Sequence, residues 1–293
     1  MQLPPEIIRC QHAGHEALQL VTRHSTAVIA LHGAHLLSWV PASQREVFWL
    51  SPDSPPEPGA IRGGVPVCWP WFAKQNMPEG ALQHGPARIN AWQVSAVHAS
   101  STDEISLSME PCADSRLAAL APTLRVSLRI TLGQTLSQTL HTRNLGTQTF
   151  HLTQALHTYF AVSHAAQVGI EGLVGLPYLD KLRSMSAHIQ QTPFALDTDC
   201  DRIYHAAPDA GHQFSGRYTL ADPGWQRRID IDTQGSRSVV VWNPGSEGAR
   251  KMADVPDKGW QDYFCIEAAN AGPDVMALAP GAEHWLKQTL SIK

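Results

Sequence analysis

The strongest constraint on what this chain can fold into is a two-residue alternation. Leu124, Val126, Leu128, Ile130 and Leu132 occupy every second position, separated by Arg125, Ser127, Arg129 and Thr131. Successive side chains of an extended strand point to opposite faces, so the run predicts a strand with one buried and one wetter face. The Gly133-Gln134 step then turns the chain into a second run beginning at Thr135, which reads as a hairpin. Shorter segments of the same kind lie at 27–31, 36–40, 47–50, 105–109, 150–160, 239–242, 263–268 and 285–292. Gly and Pro number 21 each, and their frequent recurrence leaves few windows for a long helix. Helix is expected only as single turns, at 116–122 and 197–202. With no βαβ alternation and no fixed repeat, the chain reads as all-β, a large antiparallel β-sandwich with few short helices. One domain over 1–293 is expected, because such folds run to about 250 residues and beyond as one unit. The Pro-rich stretch 52–59 is short, lies between strand-like segments and is read as a loop.

Charge narrows the partners. The chain has 22 Lys+Arg against 26 Asp+Glu, a formal charge of -4, and its basic residues are scattered singles or pairs. Nucleic-acid grooves and anionic membranes call for clustered cations, so neither is expected as a partner. The N-terminus lacks the basic start and apolar core of a secretory signal, and no stretch approaches the roughly 20 apolar residues that span a bilayer. A cytoplasmic location is the expectation. Five widely spaced cysteines without a CxxC pair point to reduced core residues rather than disulfides or a thiolate zinc site. The 15 histidines include no HExxH, so no metal is expected.

Four segments carry polar residues that a plain core strand would not need. In Ile61-Arg62-Gly63-Gly64-Val65-Pro66-Val67-Cys68-Trp69-Pro70-Trp71-Phe72, a guanidinium beside two glycines can join close backbone N–H groups around an oxyanion. The aromatic run behind it offers flat faces for a sugar ring. The same residues would also make a strand end, a turn and a few core aromatics. Gln83-His84-Gly85-Pro86-Ala87-Arg88 brings an amide, an imidazole and a guanidinium together around a tight turn, lining either a pocket or a solvated surface. In the third segment, alternation places Leu152, Leu156 and Phe160 on one face and His151, Thr153, His157 and Tyr159 on the other. His157 is then either a hydrogen-bonded structural residue or a proton-transfer group. Glu267 ends the apolar run Tyr263-Phe264-Cys265-Ile266. Buried, it would have a raised pKa suited to a general base; at a strand end, it would simply reach solvent.

Taken in order, these runs, with Leu31-His32-Gly33-Ala34-His35-Leu36-Leu37-Ser38-Trp39 before them and Asp201-Arg202-Ile203-Tyr204 between, resemble the hexose-6-phosphate 1-epimerases. That group is a branch of the aldose 1-epimerase, or galactose mutarotase-like, superfamily, and the resemblance extends from about Leu31 to the last strand. It implies a galactose mutarotase-like supersandwich. It also implies His157 as catalytic acid, Glu267 as catalytic base, Gln83 and His84 on the sugar, Arg62 and Arg88 on the phosphate, and Asp201 on a ring hydroxyl. Asp180, in Tyr178-Leu179-Asp180-Lys181, is a second acidic candidate for that last role.

The chemistry suits these residue types. Anomer exchange takes the proton from the C1 hydroxyl and gives one to the ring oxygen, the ring opens, and the aldehyde closes again from its other face. One acid and one base suffice, without electron transfer, so no cofactor is expected. Two arginines favour a phosphorylated sugar, because guanidinium forks match a dianion. Alternatives are an epimerase of free hexoses, a glycosidase using Glu267 with Asp201, and a non-catalytic sugar-phosphate-binding domain. With no coiled-coil pattern in the sequence, a monomer is the expected state.

Overall fold

The leading alternation forms the strand Leu124–Leu132, whose even-numbered residues are buried while the odd-numbered ones reach or approach solvent. Its hairpin partner is Leu136–Asn144, in continuous register from Leu132↔Leu136 to Leu124↔Asn144. The structure is a computed structural model that describes residues 3–113, 115, 117, 121–206 and 215–293. Among these residues two antiparallel sheets of eight strands dominate. One runs in the order Gly169–Glu171, Ser215–Asp222, Arg227–Gln234, Glu283–Ile292, Leu136–Asn144, Leu124–Leu132, Ile105–Pro111 and Trp92–Ser100. The other runs Ser186–Ile189, Pro177–Asp180, Cys200–His205, Ser238–Asn243, Tyr263–Asn270, Gln154–Leu156 and Val67–Cys68, with Tyr159–Ala161 also paired to Tyr263–Asn270. A four-stranded sheet, from Ile7–His12 to His35–Pro41, and the pair Phe150–Leu152 with Met276–Leu278 complete the assembly. Described helices are short, such as Gly245–Ala249 and three-residue 3-10 turns, and none is long and apolar enough to cross a membrane.

The two large sheets pack face to face. Leu128, Ile130, Leu140, Ile229, Ile231, Leu286 and Leu290 from one meet Leu156, Phe160, Val239, Val241, Phe264, Ile266 and Ala268 from the other. Each large apolar side chain so buried contributes about 1.5–3 kcal/mol. The second sheet is covered on its other face too. There Tyr263 and Cys265 pack with Tyr159, Val255 and Trp242, and Ala269 packs with Cys68, Phe72, Ile203 and Val240. All eight residues of Tyr263–Asn270 are therefore buried, and Glu267 does not reach solvent at a strand end.

Several expectations are corrected. Segment 150–160 is not one strand. Phe150–Leu152 pairs in the small sheet, while Gln154–Leu156 and Tyr159–Ala161 join the large one. His151 therefore belongs to another sheet, and Thr153 lies between strands, so neither shares a face with His157. Segment 47–50 contributes only the single bridges Phe48↔Phe160 and Leu50↔Gly63, because the Pro-rich loop that follows cannot extend a ladder. At 197–202 there is no helical turn; the strand Cys200–His205 begins instead. The turn expected at 116–122 falls largely outside the described residues. Cys68, Cys200 and Cys265 are buried, whereas Cys10 and Cys112 are only partly so.

Candidate active site

Period-2 geometry and register together build the floor of the site. Glu267 pairs with Val240, which pairs with Ile203; Cys265 pairs with Trp242, which pairs with Asp201. Directly paired residues share a face, so Glu267, Trp242 and Asp201 all stand on the face turned away from the inter-sheet core. The same logic separates the two acidic candidates. Asp180 pairs with Arg202, which pairs with Val241, a core residue on the opposite face. Its carboxylate accepts from the Leu182 backbone N–H at 3.1 Å and caps the turn Lys181–Arg183.

His157 is set by the same ladder. Leu156 pairs with Ala268 and Tyr159 with Cys265, one register on both sides of a two-residue gap. Carried through the gap, that register places His157 opposite Glu267, and the imidazole Nε2 lies 3.3 Å from Glu267 Oε1. The ring is stacked on Tyr159, with centroids 4.9 Å apart, and meets the edges of Trp242 and His84. Glu267 is 1% exposed and His157 8%. Beyond this contact with each other, neither carboxylate oxygen, nor His157 Nδ1, has a hydrogen-bond partner among the described residues. Buried polar groups are nearly always paired, so a carboxyl and an imidazole left open toward one cavity mark a place where a ligand completes the bonding.

Loops wall this floor. At Arg62, Nε donates to Asp254 Oδ2 at 3.0 Å and Nη1 to Tyr159 Oη at 2.8 Å, while Nη2 is 2.9 Å from the same Asp254 oxygen. Of the five guanidinium donors, one on each Nη remains, an end-on fork. The glycines after Arg62 let neighbouring backbone pack closely. Gly64 donates its N–H to Trp49 O at 2.7 Å, and a Cβ there would lie 2.2 Å from Leu36 O; its φ is +58°. Gly-Gly is required so that three backbone segments can meet behind the arginine.

The second loop turns through left-handed His84 and Gly85, φ +66° and +73°. His84 N–H donates to Ala73 O at 3.0 Å, and His84 Nδ1 accepts from Ala73 N–H at 3.4 Å. That acceptor role leaves the ring proton on Nε2. Arg88 Nη2 donates to the Gln83 carbonyl at 2.9 Å, which ties the loop to its own guanidinium.

All seven residues singled out in the sequence, His157, Glu267, Arg62, Gln83, His84, Arg88 and Asp201, line one cavity of about 260 Å³. Lys181, Tyr159, Trp242, Phe72 and Met252 also line it. Asp254 stands behind it, bonded to Arg62. Tyr159 and Lys181 lay inside segments already singled out, two and one positions from the residues chosen. Met252 and Asp254 follow Gly245–Ala249 and carry no local sequence signal; only the tertiary fold brings them to Arg62.

Electrostatics separates the groups. Burial pushes Glu267 well above the ordinary carboxylate range, with Lys181 opposing and Asp201 adding to the rise. Burial also pushes His157 well down, aided by His84, Arg62 and Arg88. His84 is likewise held neutral by burial and by Arg88, Lys181 and Arg62. Burial thus disfavours the charged form of both members of the central pair.

Residues 16–291 match the aldose 1-epimerase family. The chain belongs to that family. It is 36% identical over 253 residues, 84% of this chain and 80% of the relative, to an Escherichia coli K12 protein provisionally named glucose-6-phosphate 1-epimerase. A Salmonella typhimurium protein with the same provisional name is 33% identical, with 92% of this chain and 88% of that one covered. A crystal structure of a provisionally named mutarotase from Salmonella typhimurium superposes with a TM-score of 0.87 at 30% identity, covering 99% of this chain and 95% of that one. In this member of the aldose 1-epimerase family, the sheet supplies the facing carboxyl and imidazole and the loops supply the cations.

Proposed function

We propose that the protein interconverts the α and β anomers of a hexose 6-phosphate, with glucose 6-phosphate as the first candidate. The observation that carries this reading is the contact between Glu267 and His157, both buried and otherwise unpaired, in a cavity walled by two arginines. Glu267 takes the proton of the C1 hydroxyl while His157 delivers one to the ring oxygen, and the C1–O5 bond breaks. Rotation about C1–C2 and reversal of both transfers give the other anomer. Two protons move and no electrons, so the reaction needs no cofactor.

The remaining side chains bind and orient. The Arg62 fork and Arg88 hold the phosphate, Gln83 and His84 donate to the sugar, and Asp201 accepts from a ring hydroxyl. A phosphate dianion also acts on the acid. Arg62 and Arg88 are among the cations that depress His157, and a bound dianion offsets them, so the imidazole holds its proton better when the substrate is phosphorylated. A glycosidase would use Glu267 and Asp201 as its two carboxyls. Asp201, however, is neutralised by Lys181 at 2.7 Å, which suits an anion that binds better than a second proton-transfer group.

The test is two-dimensional exchange NMR on glucose 6-phosphate at anomeric equilibrium. The wild type is expected to speed α/β exchange far beyond the buffer rate. Exchange at the buffer rate would overturn the proposal.

A further inference from the structure

Lys181 is the one charged residue lining the cavity to which the proposed reaction gives no task. It opens the 3-10 turn Lys181–Arg183, whose cap is the side chain of Asp180. This cap fixes the point at which Lys181 leaves the strand Pro177–Asp180. From there Nζ lies 2.7 Å from Asp201 Oδ2 and 5.9 Å from the centre of the Phe72 ring. The other oxygen, Asp201 Oδ1, is buried without a hydrogen-bond partner among the described residues. A carboxylate with one oxygen clamped by an ammonium and the other open to a cavity is built to receive a donor, because leaving that oxygen unpaired is costly. Sugar hydroxyls are donors of that class.

We infer that Lys181 is a positioning residue of the sugar subsite, holding Asp201 ionised and turned so that Oδ1 accepts from a ring hydroxyl. The inference rests on the epimerase reading and deepens it. Burial is the main influence pushing Asp201 toward protonation; Lys181 opposes it, and the Asp180 carboxylate adds to it. Glu267 is the other carboxyl on the same face, and Trp242, paired beside Asp201, carries no charge. Lys181 is thus the only cation that bonds Asp201 among the described residues. Without it, Asp201 takes up a proton at higher pH and stops accepting.

The alternative task for Lys181 is a direct hold on the phosphate, and the two roles separate experimentally. The probe is 1,5-anhydroglucitol 6-phosphate, which has no anomeric hydroxyl and cannot react. Its binding is measured by calorimetry from pH 5 to 8 for wild type, Lys181→Met, Lys181→Arg, Asp201→Asn and the double variant Lys181→Met/Asp201→Asn. Each is read against Asp201→Asn, so that ionisation of the phosphate ester cancels. Lys181→Met is expected to weaken binding about tenfold or more at the acid end and to lose affinity at higher pH than wild type does. Lys181→Arg should restore most of the affinity, and the double variant should bind no more weakly than Asp201→Asn alone. Wild-type affinity in Lys181→Met, or losses that simply add in the double variant, would overturn the inference. So would a loss seen with the phosphate ester but not with 1,5-anhydroglucitol, which would make Lys181 a phosphate ligand. A wild type that binds the probe yet leaves anomer exchange at the buffer rate would sink the epimerase reading while leaving the Lys181–Asp201 coupling measurable. A wild type that does not bind the probe would overturn both.

Discussion

Replacing Glu267 by Gln should stabilise the protein while removing its activity, and the pH dependence of the stabilisation can be worked out. In the unfolded chain a Glu ionises near its ordinary pKa of about 4.3. In the folded chain burial holds the proton on Glu267 to a pH well above that. Between the two values the unfolded state sheds a proton that the folded state keeps. Stability contributed by the protonated group is full below the unfolded pKa, declines as pH rises, and is gone once the folded pKa is passed. The decline is about 1.4 kcal/mol per pH unit. Gln is neutral throughout and similar in shape, so the stability difference between Glu267→Gln and wild type should open above about pH 4.3 with that slope. It should then level off at the folded pKa. For a domain of this size, 1 kcal/mol corresponds to roughly 2 °C in Tm, so each pH unit adds about 3 °C. Thermal unfolding followed by circular dichroism from pH 4 to 9 measures the difference, and the plateau reads the acidity of Glu267. Activity should move the opposite way, with a loss of about 10²–10⁴-fold for removal of one proton-transfer partner. A Tm difference independent of pH would show that Glu267 ionises normally. Glu267 would then not be a base with a burial-raised pKa, whatever happened to the rate.

Three further perturbations address other parts of the site. Arg62→Ala or Arg88→Ala should raise KM for glucose 6-phosphate about tenfold or more, each removing a charge-assisted bond, while KM for free glucose changes little; equal losses on both substrates would mean that the arginines do not read phosphate. In the wild type, kcat/KM should fall as pH drops through the raised pKa of Glu267, with its acid limb above the ordinary carboxylate range; a flat profile down to pH 5 would contradict the assigned base. Gly64→Ala forces a Cβ to 2.2 Å from Leu36 O at a left-handed position; a loss of about 3 kcal/mol in urea unfolding is expected, and a variant as stable as wild type would refute the close-packing role given to this glycine.

Strand alternation was legible wherever one face of a strand meets the core and the other meets water, as at Leu124–Leu132. It was weaker where both faces are covered, since Tyr263–Asn270 reads only as an apolar run. It was least informative where a strand buries few of its side chains. Ile7–His12 and Trp92–Ser100 are strands of that kind, and they passed unread. The site residues stood out because each is a polar side chain in surroundings that a core strand does not require. Their mutual geometry was not legible. It depends on the register between Gln154–Leu156, Tyr159–Ala161 and Tyr263–Asn270, which pairs segments more than a hundred positions apart. Asp254 and Met252 were invisible for the same reason.

Register also decides what the carboxyls can do. The face of a strand alternates with every residue, so a one-residue slip of Cys200–His205 against Ser238–Asn243 would send Asp201 into the core and bring Arg202 to the cavity. In the register observed, Asp201 meets Lys181 on the open face, and Asp180 meets Arg202 on the covered one. Asp201 and Asp180 are thus each matched to a cation on their own side, whereas the partner of Glu267 is the His157 imidazole. A net charge of -4 is compatible with this because the cations are not spread as a field. Arg62, Arg88 and Lys181 converge on one cavity. The first has an acid behind it and the last an acid beside it, so only Arg88 and the open fork of Arg62 face the cavity without a protein carboxylate of their own. Such an arrangement attracts one small dianion and little else.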